Sequence, residues 1–308
     1  MFGQVLLGVT GNRSVRSVMT RSSLSRSVVL RFVAGEDVDD ALSAVRPLMS
    51  EGLRVSLDFL GEDISSAAQA EQTVAAYRRL VTYLADAGLA AGNEISVKLS
   101  ALGQSLGPSG PQQATDRALG LVEHAAAHDV DVTLDMEDHT TIDSTLETLR
   151  TARGPFPRVG CVLQSMLRRT PGDARDLAVP GSRVRLVKGA YAEPAAVAHP
   201  VKADVDTAYL HCLRLLVEGC AYPMIATHDL RMVRRAEDLL ARHGRTPADA
   251  EFQMLYGIRT ADQRRLAAAG HTVRVYVPFG TDWYGYFSRR LAERPANLAF
   301  FAKSLVAR

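Results

Sequence analysis

The chain has 308 residues, of which 47% are hydrophobic and 23% are charged, and its 36 Lys and Arg against 34 Asp and Glu give a formal charge of +2. These proportions are those of a folded globular protein and exclude a disordered chain or a coiled rod. The charge is near neutral and no lysine-rich block occurs, which argues against a nucleic-acid-binding protein.

The N-terminal 35 residues contain no Asp or Glu but several arginines and serines. This composition fits either an organellar transit peptide or a basic helical arm, and we expect a helical arm over residues 1–52 followed by one catalytic domain over 53–308. No apolar run approaches the roughly 18 residues of a membrane span, so any membrane contact is expected to be peripheral. Three cysteines without a CxxC pair suit a reducing compartment, which predicts a cytoplasmic location or the inner face of the cell membrane.

From about residue 53 the chain alternates β-rich apolar segments with amphipathic helical segments. We predict strands at 54–59, 94–99, 130–135, 159–164, 183–188, 222–227, 250–255 and 272–277. We predict helices at 65–88, 112–128, 141–152, 202–218, 229–243 and 260–269, with only a turn or two of helix within 168–180. Eight such repeats predict an α/β fold of the (βα)₈ barrel type. The sequence contains neither GxGxxG nor GxxxxGK[ST], which argues against a Rossmann dinucleotide-binding site and against a P-loop.

Polar residues stand at the C-terminal ends of nearly all the predicted strands, where barrel enzymes place their active sites. A single residue of this kind often only caps the next helix, but so many together predict a ligand site. They are Asp58, Lys98, Asp135, Glu137, Asp138, Gln164, Arg185, Lys188, Thr227, His228, Gln253 and Tyr276.

The segment after the eighth predicted strand is expected to form a helix between Thr281, as N-cap, and Pro295. It carries Arg289 and Arg290, with Glu293 within one helical turn of both. Two adjacent guanidinium groups suit bidentate binding of a carboxylate, whereas the alternative is an ordinary solvated charged face.

Taken together, several segments resemble the proline dehydrogenase family, in its monofunctional bacterial type. The most specific are VRLVKGAY (184–191), YVPFG (276–280) and RRLAERPAN (289–297), and SLDFLGE (56–62), SVKLSALG (96–103), TLDMED (133–138) and EFQMLYG (251–257) accompany them in order. The resemblance implies a distorted (βα)₈ barrel whose last helix lies over the strand ends. It also implies oxidation of L-proline to 1-pyrroline-5-carboxylate with FAD as cofactor and a membrane quinone as electron acceptor.

The resemblance further assigns roles to individual residues. Asp135 and Arg185 would be catalytic, with Asp135 bridging to Lys98 and Arg185 near flavin N5. The substrate would be bound by Lys98, Tyr191, Leu255, Tyr276, Arg289 and Arg290, with Glu293 orienting the two arginines. FAD would contact Met136, Gln164, Arg185, Lys188, Gly189, Ala190, Thr227 and His228, and its diphosphate would be neutralised by Arg185, Lys188 and the helix that follows His228.

Two other functions remain open on the sequence. A barrel lyase or aldolase could form a Schiff base through Lys98 or Lys188, and a catalytically idle barrel could bind an amino acid as a sensor. No metal site is predicted, because the spacing of His139 and His228 relative to nearby carboxylates matches no ligand signature.

Overall fold

The computed structural model describes residues 29–61 and 64–292, and side chains as far as residue 287. The strands are β1 (Arg54–Phe59), β2 (Glu94–Val97), β3 (Asp131–Leu134), β4 (Gly160–Gln164), β5 (Arg183–Val187), β6 (Tyr222–Ala226), β7 (Glu251–Leu255) and β8 (Thr272–Phe279). The helices are α1 (Val38–Ser50), α2 (Ala67–Asp86), α3 (Gly110–Ala127), α4 (Ile142–Arg153), α5 (Thr170–Leu177), α6 (Lys202–Glu218), α7 (Leu230–Arg242), α8 (Thr260–Ala268) and α9 (Trp283–Ala292), with a 3₁₀ turn at Ser100–Leu102.

The eight strands form a closed parallel barrel in sequence order. Closure is made by β1 and β8, whose paired residues run from Arg54 opposite Arg274 to Phe59 opposite Phe279. Each strand is followed by a helix, as right-handed parallel crossovers require. The predicted (βα)₈ fold is therefore confirmed. The short helix predicted within 168–180 is α5, which has 8 residues and follows β4.

The predicted strands and helices of the barrel begin and end within two residues of the observed ones, and the last strand, predicted to end at residue 277, is two residues longer. Pro278 belongs to β8, which continues to Phe279. Pairing of β8 with β7 stops at Tyr276, whereas pairing with β1 continues to Phe279. Pro278 therefore lies where β8 has a neighbour on one side only, and such an edge tolerates a residue without an N–H.

The helices at the two ends of the described chain pack at different parts of the barrel. Helix α9, which follows β8, packs with Leu60 and Ile258 at the C-terminal ends of β1 and β7, and not on the outer wall. Helix α1 packs instead against β1, β8 and α2. The last helix thus lies at the C-terminal rim, as expected. Residues 1–28 lie outside the described residues, and a domain boundary at residue 52 remains a prediction.

The barrel interior is unusually polar. Alternate strand residues point outward to an apolar layer that the helices cover, such as Val55, Ile95 and Val275, all with no exposed surface. The inward positions carry ionic side chains in place of the branched apolar residues that usually fill such a barrel. These buried residues are Glu94, Arg183, Arg185, Glu251 and Arg274.

Candidate active site

A cavity of about 440 Å³ opens at the C-terminal ends of the strands, and every strand contributes a residue at or just after its end. Of the polar strand-end residues predicted to form a ligand site, Glu137 and Asp138 do not line the cavity. The structure brings together there all of the residues to which the family resemblance gave a role and whose side chains it describes. These are Lys98, Asp135, Met136, Gln164, Arg185, Lys188, Gly189, Ala190, Tyr191, Thr227, His228, Leu255 and Tyr276.

The remaining predicted residues belong to the C-terminal part of the chain. Arg289 and Arg290 lie on α9, and their side chains lie beyond the described ones, as does all of Glu293. The same helix does contribute Tyr286 to the cavity wall, which was not predicted. The position of α9 at the rim therefore agrees with a role in the site.

Lys98 is held by two carboxylates at the floor of the cavity. Its Nζ lies 2.8 Å from both carboxylate oxygens of Asp58 and 3.7 Å from Oδ2 of Asp135. The predicted bridge from Asp135 to Lys98 is present, but Asp58, to which no role was given, lies closer to the Lys98 ammonium. Both carboxylates come from strands next to β2, since Asp58 on β1 pairs in register with Ser96, two residues before Lys98, and Asp135 follows β3.

Asp135 accepts hydrogen bonds from three side chains. Ser96 Oγ and Arg185 Nη1 each donate to Oδ1 at 2.7 Å, and the Tyr276 hydroxyl donates to Oδ2 at 2.9 Å. Burial raises the pKa of Tyr276 well above its usual value, and Asp135 and Asp58 add to that effect. The phenol is therefore protonated at neutral pH and acts as a donor.

Arg185 uses all five of its N–H donors inside the barrel. Nε donates to Gln253 Oε1 at 2.6 Å, and Nη1 donates to Ser96 and Asp135. Nη2 donates to Ser56 Oγ at 3.0 Å and to Glu94 Oε1 at 2.5 Å. Since only 4% of its side chain is exposed, Arg185 cannot reach a diphosphate without giving up one of these bonds, which argues against its predicted part in neutralising one.

Lys188 stands at the other side of the cavity, in a cluster of three cations and two carboxylates. Its Nζ lies 2.5 Å from Asp206 and 3.1 Å from Asp229. Lys202 pairs with Asp206 at 2.7 Å, and Arg231 pairs with Asp229 at 3.1 Å. The hydrogen bonds from Arg231 are the main cause that lowers the pKa of Asp229. The cluster carries one excess positive charge beside the N-terminus of α7, which suits an anion.

Two features of the cavity wall fit a flat heteroaromatic group. Gln164 is 2% exposed, and its Oε1 has no hydrogen-bond partner among the described residues, although its Nε2 donates to the Glu137 carbonyl at 2.6 Å. A buried acceptor without a partner is costly unless a ligand supplies a donor. Gly189 has a φ of 104°, and a Cβ there would collide with Met166, so only glycine fits beside the cavity.

The histidines near the cavity have protein partners. Nε2 of His228 accepts the Leu255 backbone N–H at 3.0 Å, and both the backbone N–H and Nδ1 of His139 bond to Glu193. Within residues 29–61 and 64–292, no three His, Cys, Asp or Glu side chains are grouped as a metal site would require.

Sequence reasoning missed how the buried residues are paired. Asp58 was recognised as a strand-end residue but received no role, and Glu94 was overlooked because it begins a strand and does not end one. Strand alternation could have indicated Glu94, since it shares the inward face of β2 with Ser96 and Lys98.

Comparison with known proteins agrees with this geometry. The proline dehydrogenase family model matches residues 41–303. A proline dehydrogenase of Deinococcus radiodurans is 43% identical over 280 residues, which cover 90% of this chain and 89% of the relative. Proline dehydrogenase 1 of Bacillus subtilis is 36% identical over 306 residues, 99% of each chain. The solved structure of proline utilization A from Bdellovibrio bacteriovorus, inactivated by N-propargylglycine, superposes with a TM-score of 0.81 at 25% identity, covering 87% of this chain and 33% of that one. The chain therefore belongs to the proline dehydrogenase family.

Proposed function

We propose that this protein oxidises L-proline to 1-pyrroline-5-carboxylate with FAD as cofactor, by transfer of hydride from C5 of proline to flavin N5. The observation that carries the proposal is the group of four charged side chains at the floor of the cavity, Asp58, Lys98, Asp135 and Arg185. The family membership of the chain and the names of its relatives support it.

The residues present fit a flavin. Gln164 offers a buried oxygen acceptor to a ring N–H of the flavin's pyrimidine edge. Gly189, with Ala190, lets the backbone approach closely, and Met136, Thr227 and His228 complete the proposed contacts. The excess cation around Lys188 and the N-terminus of α7 suits a diphosphate. When bound, FAD supplies the hydride acceptor, N5 of its isoalloxazine ring.

The charges at the floor suit a zwitterionic substrate. Asp58 and Asp135 balance Lys98 and Arg185, so a molecule with one carboxylate and one amine adds no net charge to the buried site. We assign the carboxylate to Lys98 together with Arg289 and Arg290, with Glu293 orienting the pair. Tyr191, Leu255 and Tyr276 would enclose the ring, and close packing would hold C5 at the reacting distance.

Asp135 and Arg185 are the proposed catalytic residues. Arg185 supplies a fixed positive charge that does not need to reorganise during the reaction, because all of its donors are already engaged. Asp135 joins Arg185 to Tyr276 and approaches Lys98, so it fixes the relative position of the groups that would face substrate and flavin.

An anaerobic absorbance titration tests the function. The purified protein reconstituted with FAD should be yellow, and L-proline should bleach the flavin band whereas D-proline should not. Lys98→Met should retain FAD and raise the KM for proline about 10- to 100-fold, equivalent to about 1.4–2.8 kcal/mol. Arg150→Met, an exposed cation on α4 outside the cavity, is the control and should leave the KM unchanged. A colourless protein, or a flavin that proline does not bleach, would contradict the proposal.

The Schiff-base alternative is disfavoured by the contacts of the two lysines. Asp58 lies against Lys98, and Asp206 and Asp229 lie against Lys188, so both amino groups are held in ion pairs, whereas an imine needs an amine that is available to attack a carbonyl. Borohydride treatment in the presence of substrate should therefore label neither lysine. An idle amino-acid-binding barrel would bind proline without bleaching the flavin.

A quinone acceptor and peripheral contact with the inner face of the cell membrane are part of the proposal. Within the described residues, no helix is long and apolar enough to cross a membrane. Aerobic turnover should be faster with a soluble quinone than with oxygen alone. Flotation with anionic liposomes should carry the full-length protein upward in the gradient, and a protein that stays at the bottom would remove membrane contact from the proposal.

A further inference from the structure

We propose that Glu94, deep in the barrel, is a positioning residue that fixes the Arg185 guanidinium beneath the cavity. The inference rests on the proposed function in so far as Arg185 is one of its catalytic residues. Glu94 is not among the residues that line the cavity, so its effect on a ligand bound there passes through Arg185.

Glu94 lies among three cations from two other strands, Arg183 and Arg185 on β5 and Arg274 on β8. It has no exposed surface, and its Oε1 lies 2.5 Å from Arg185 Nη2 and 3.9 Å from Arg274 Nε. Its Oε2 accepts from Arg183 Nη2 at 2.6 Å and from Thr133 Oγ1 at 2.9 Å. Burial alone would raise the pKa of Glu94, but Arg274, Arg185 and Arg183 outweigh burial and lower it. Glu94 is therefore a carboxylate at neutral pH.

The bond to Glu94 determines how Arg185 is oriented. Gln253 binds Nε of Arg185, and Glu94 binds Nη2 from the side that faces away from the cavity. The remaining nitrogen, Nη1, is therefore directed to Asp135. The guanidinium then lies with its carbon 5.3 Å from the centre of the Tyr276 ring. A planar guanidinium group that is bonded at both Nε and Nη2 keeps one orientation, whereas the compact ammonium of a lysine would not.

The charge of Glu94 also keeps three guanidinium groups together. Arg183, Arg185 and Arg274 all approach this one carboxylate in the barrel interior, where all four side chains are buried. Without its negative charge, Arg183 and Arg274 would repel Arg185 toward the cavity and change both its position and the field at the cavity floor. The effect should be on the reaction step more than on substrate binding, because Lys98 and its partner Asp58 are untouched.

The test compares Glu94→Gln with Glu251→Gln in the FAD-loaded enzyme. Glu251 is the matched control: it is also a buried inward carboxylate, 1% exposed, but it pairs with Arg274 at 2.7 Å and does not contact Arg185. Its Oε1 accepts from Gln253 Nε2 at 2.5 Å, and the amide oxygen introduced by Glu251→Gln can still accept that bond, so the Gln253 anchor of Arg185 is kept. Both variants should lower the melting temperature. Only Glu94→Gln should reduce kcat, by about 10- to 100-fold, with the KM for proline changed less than about threefold, as expected for displacement of a catalytic group by about 1 Å. It should also shift the reduction potential of the bound flavin upward, because a buried negative charge is lost.

A double-mutant cycle separates positioning from general stability. If Glu94 acts through Arg185, Glu94→Gln should add nothing to the kcat loss, or to the potential shift, of Arg185→Met. Full additivity, or equal kcat losses in Glu94→Gln and Glu251→Gln, would overturn the proposal. Should Glu94→Gln fail to fold, Ser56→Ala removes the other acceptor of Nη2, at 3.0 Å, without removing a charge, and should give a smaller loss of kcat with the same unchanged KM.

A further measurement is independent of proline oxidation. In NMR spectra of the FAD-loaded protein, the side-chain N–H signals of Arg185 should exchange slowly with water, because every donor is bonded. Glu94→Gln should accelerate the exchange at Nη2, and Glu251→Gln should not. Equal exchange in the two variants would refute the positioning role even if the protein oxidises proline, and a selective effect would support it even if proline is not the substrate.

Discussion

The polar atoms of each cavity residue differ in how far the protein already satisfies them, and this difference indicates what each residue offers a ligand. Arg185 has no donor to spare, and its proposed contribution is charge at a fixed place. Gln164 is the opposite case. Its Nε2 donates to the Glu137 carbonyl, but its buried Oε1 has no hydrogen-bond partner in the described part of the chain. A hydrogen bond from bound FAD to Gln164 would therefore cost the protein no existing bond.

Gln164→Leu should weaken FAD binding about tenfold, because a hydrogen bond to a buried group contributes roughly 1.5 kcal/mol. The dissociation constant can be measured by the fluorescence of free FAD. Gln104→Leu is the matched control, since Gln104 is 5% exposed and its Oε1 also lacks a described partner, but it lies outside the cavity. An equal loss of affinity in both variants, or none in Gln164→Leu, would exclude Gln164 from the flavin site.

Single strands and helices were largely predictable because their signals are local. Alternating helical and strand segments predicted all eight strands, and strand-end polar residues such as Lys98 and Gln164 were correctly grouped in one cavity. The pairing of Lys98 with Asp58 was not predicted, because it depends on which strands are neighbours in the closed barrel. The reach of Arg185 from β5 across the interior to Ser56 on β1 has no sequence signal, since 129 residues separate them.

Helix α2 begins with a capping motif that is also local in sequence, and its contribution to the free energy of unfolding can be measured. The Ser66 side chain accepts from the Gln69 N–H, and the Gln69 side chain accepts from the Ser66 N–H, which forms a capping box. Ser66→Ala should therefore lower the free energy of unfolding by about 1 kcal/mol. Ser109 is the matched control at the N-cap of α3, where its side chain caps no backbone N–H. Urea titrations of both variants measure the difference, and a loss as large in Ser109→Ala would show that the capping box is not its cause.

Buried ion pairs and hydrogen bonds join neighbouring strands in the barrel interior, including β8 and β1, which lie far apart in sequence. Arg274 on β8 donates to both oxygens of Glu251 on β7, at 2.7 and 2.9 Å, and also to the Val55 carbonyl on β1 and the Gly92 carbonyl before β2. These bonds span the place where the barrel closes. Because its interior is ionic, the stability of the barrel should depend on pH more steeply than that of one filled with branched apolar residues.

Glu251→Gln should flatten the loss of stability in acid. Burial alone would raise the pKa of Glu251, but Arg274 outweighs burial and lowers it below its usual value of 4.5. A carboxyl group whose pKa is lower in the folded state stabilises the fold above the unfolded value, and this contribution is lost as the pH falls from about 4.5 toward the folded value. Each such group adds at most about 1.4 kcal/mol per pH unit to the slope in that window.

Free energies of unfolding in urea, measured from pH 7 to pH 3, give this slope. Each variant is compared with itself at pH 7, so that any constant destabilisation cancels. Glu251→Gln should have a smaller slope below about pH 4.5 than the wild type. The control, Glu147→Gln, removes an exposed carboxylate on α4 that pairs with Arg150 at the surface, where water screens the pair, and it should keep the wild-type slope. An unchanged slope in Glu251→Gln would show that the ion pairs at the barrel closure do not govern acid unfolding.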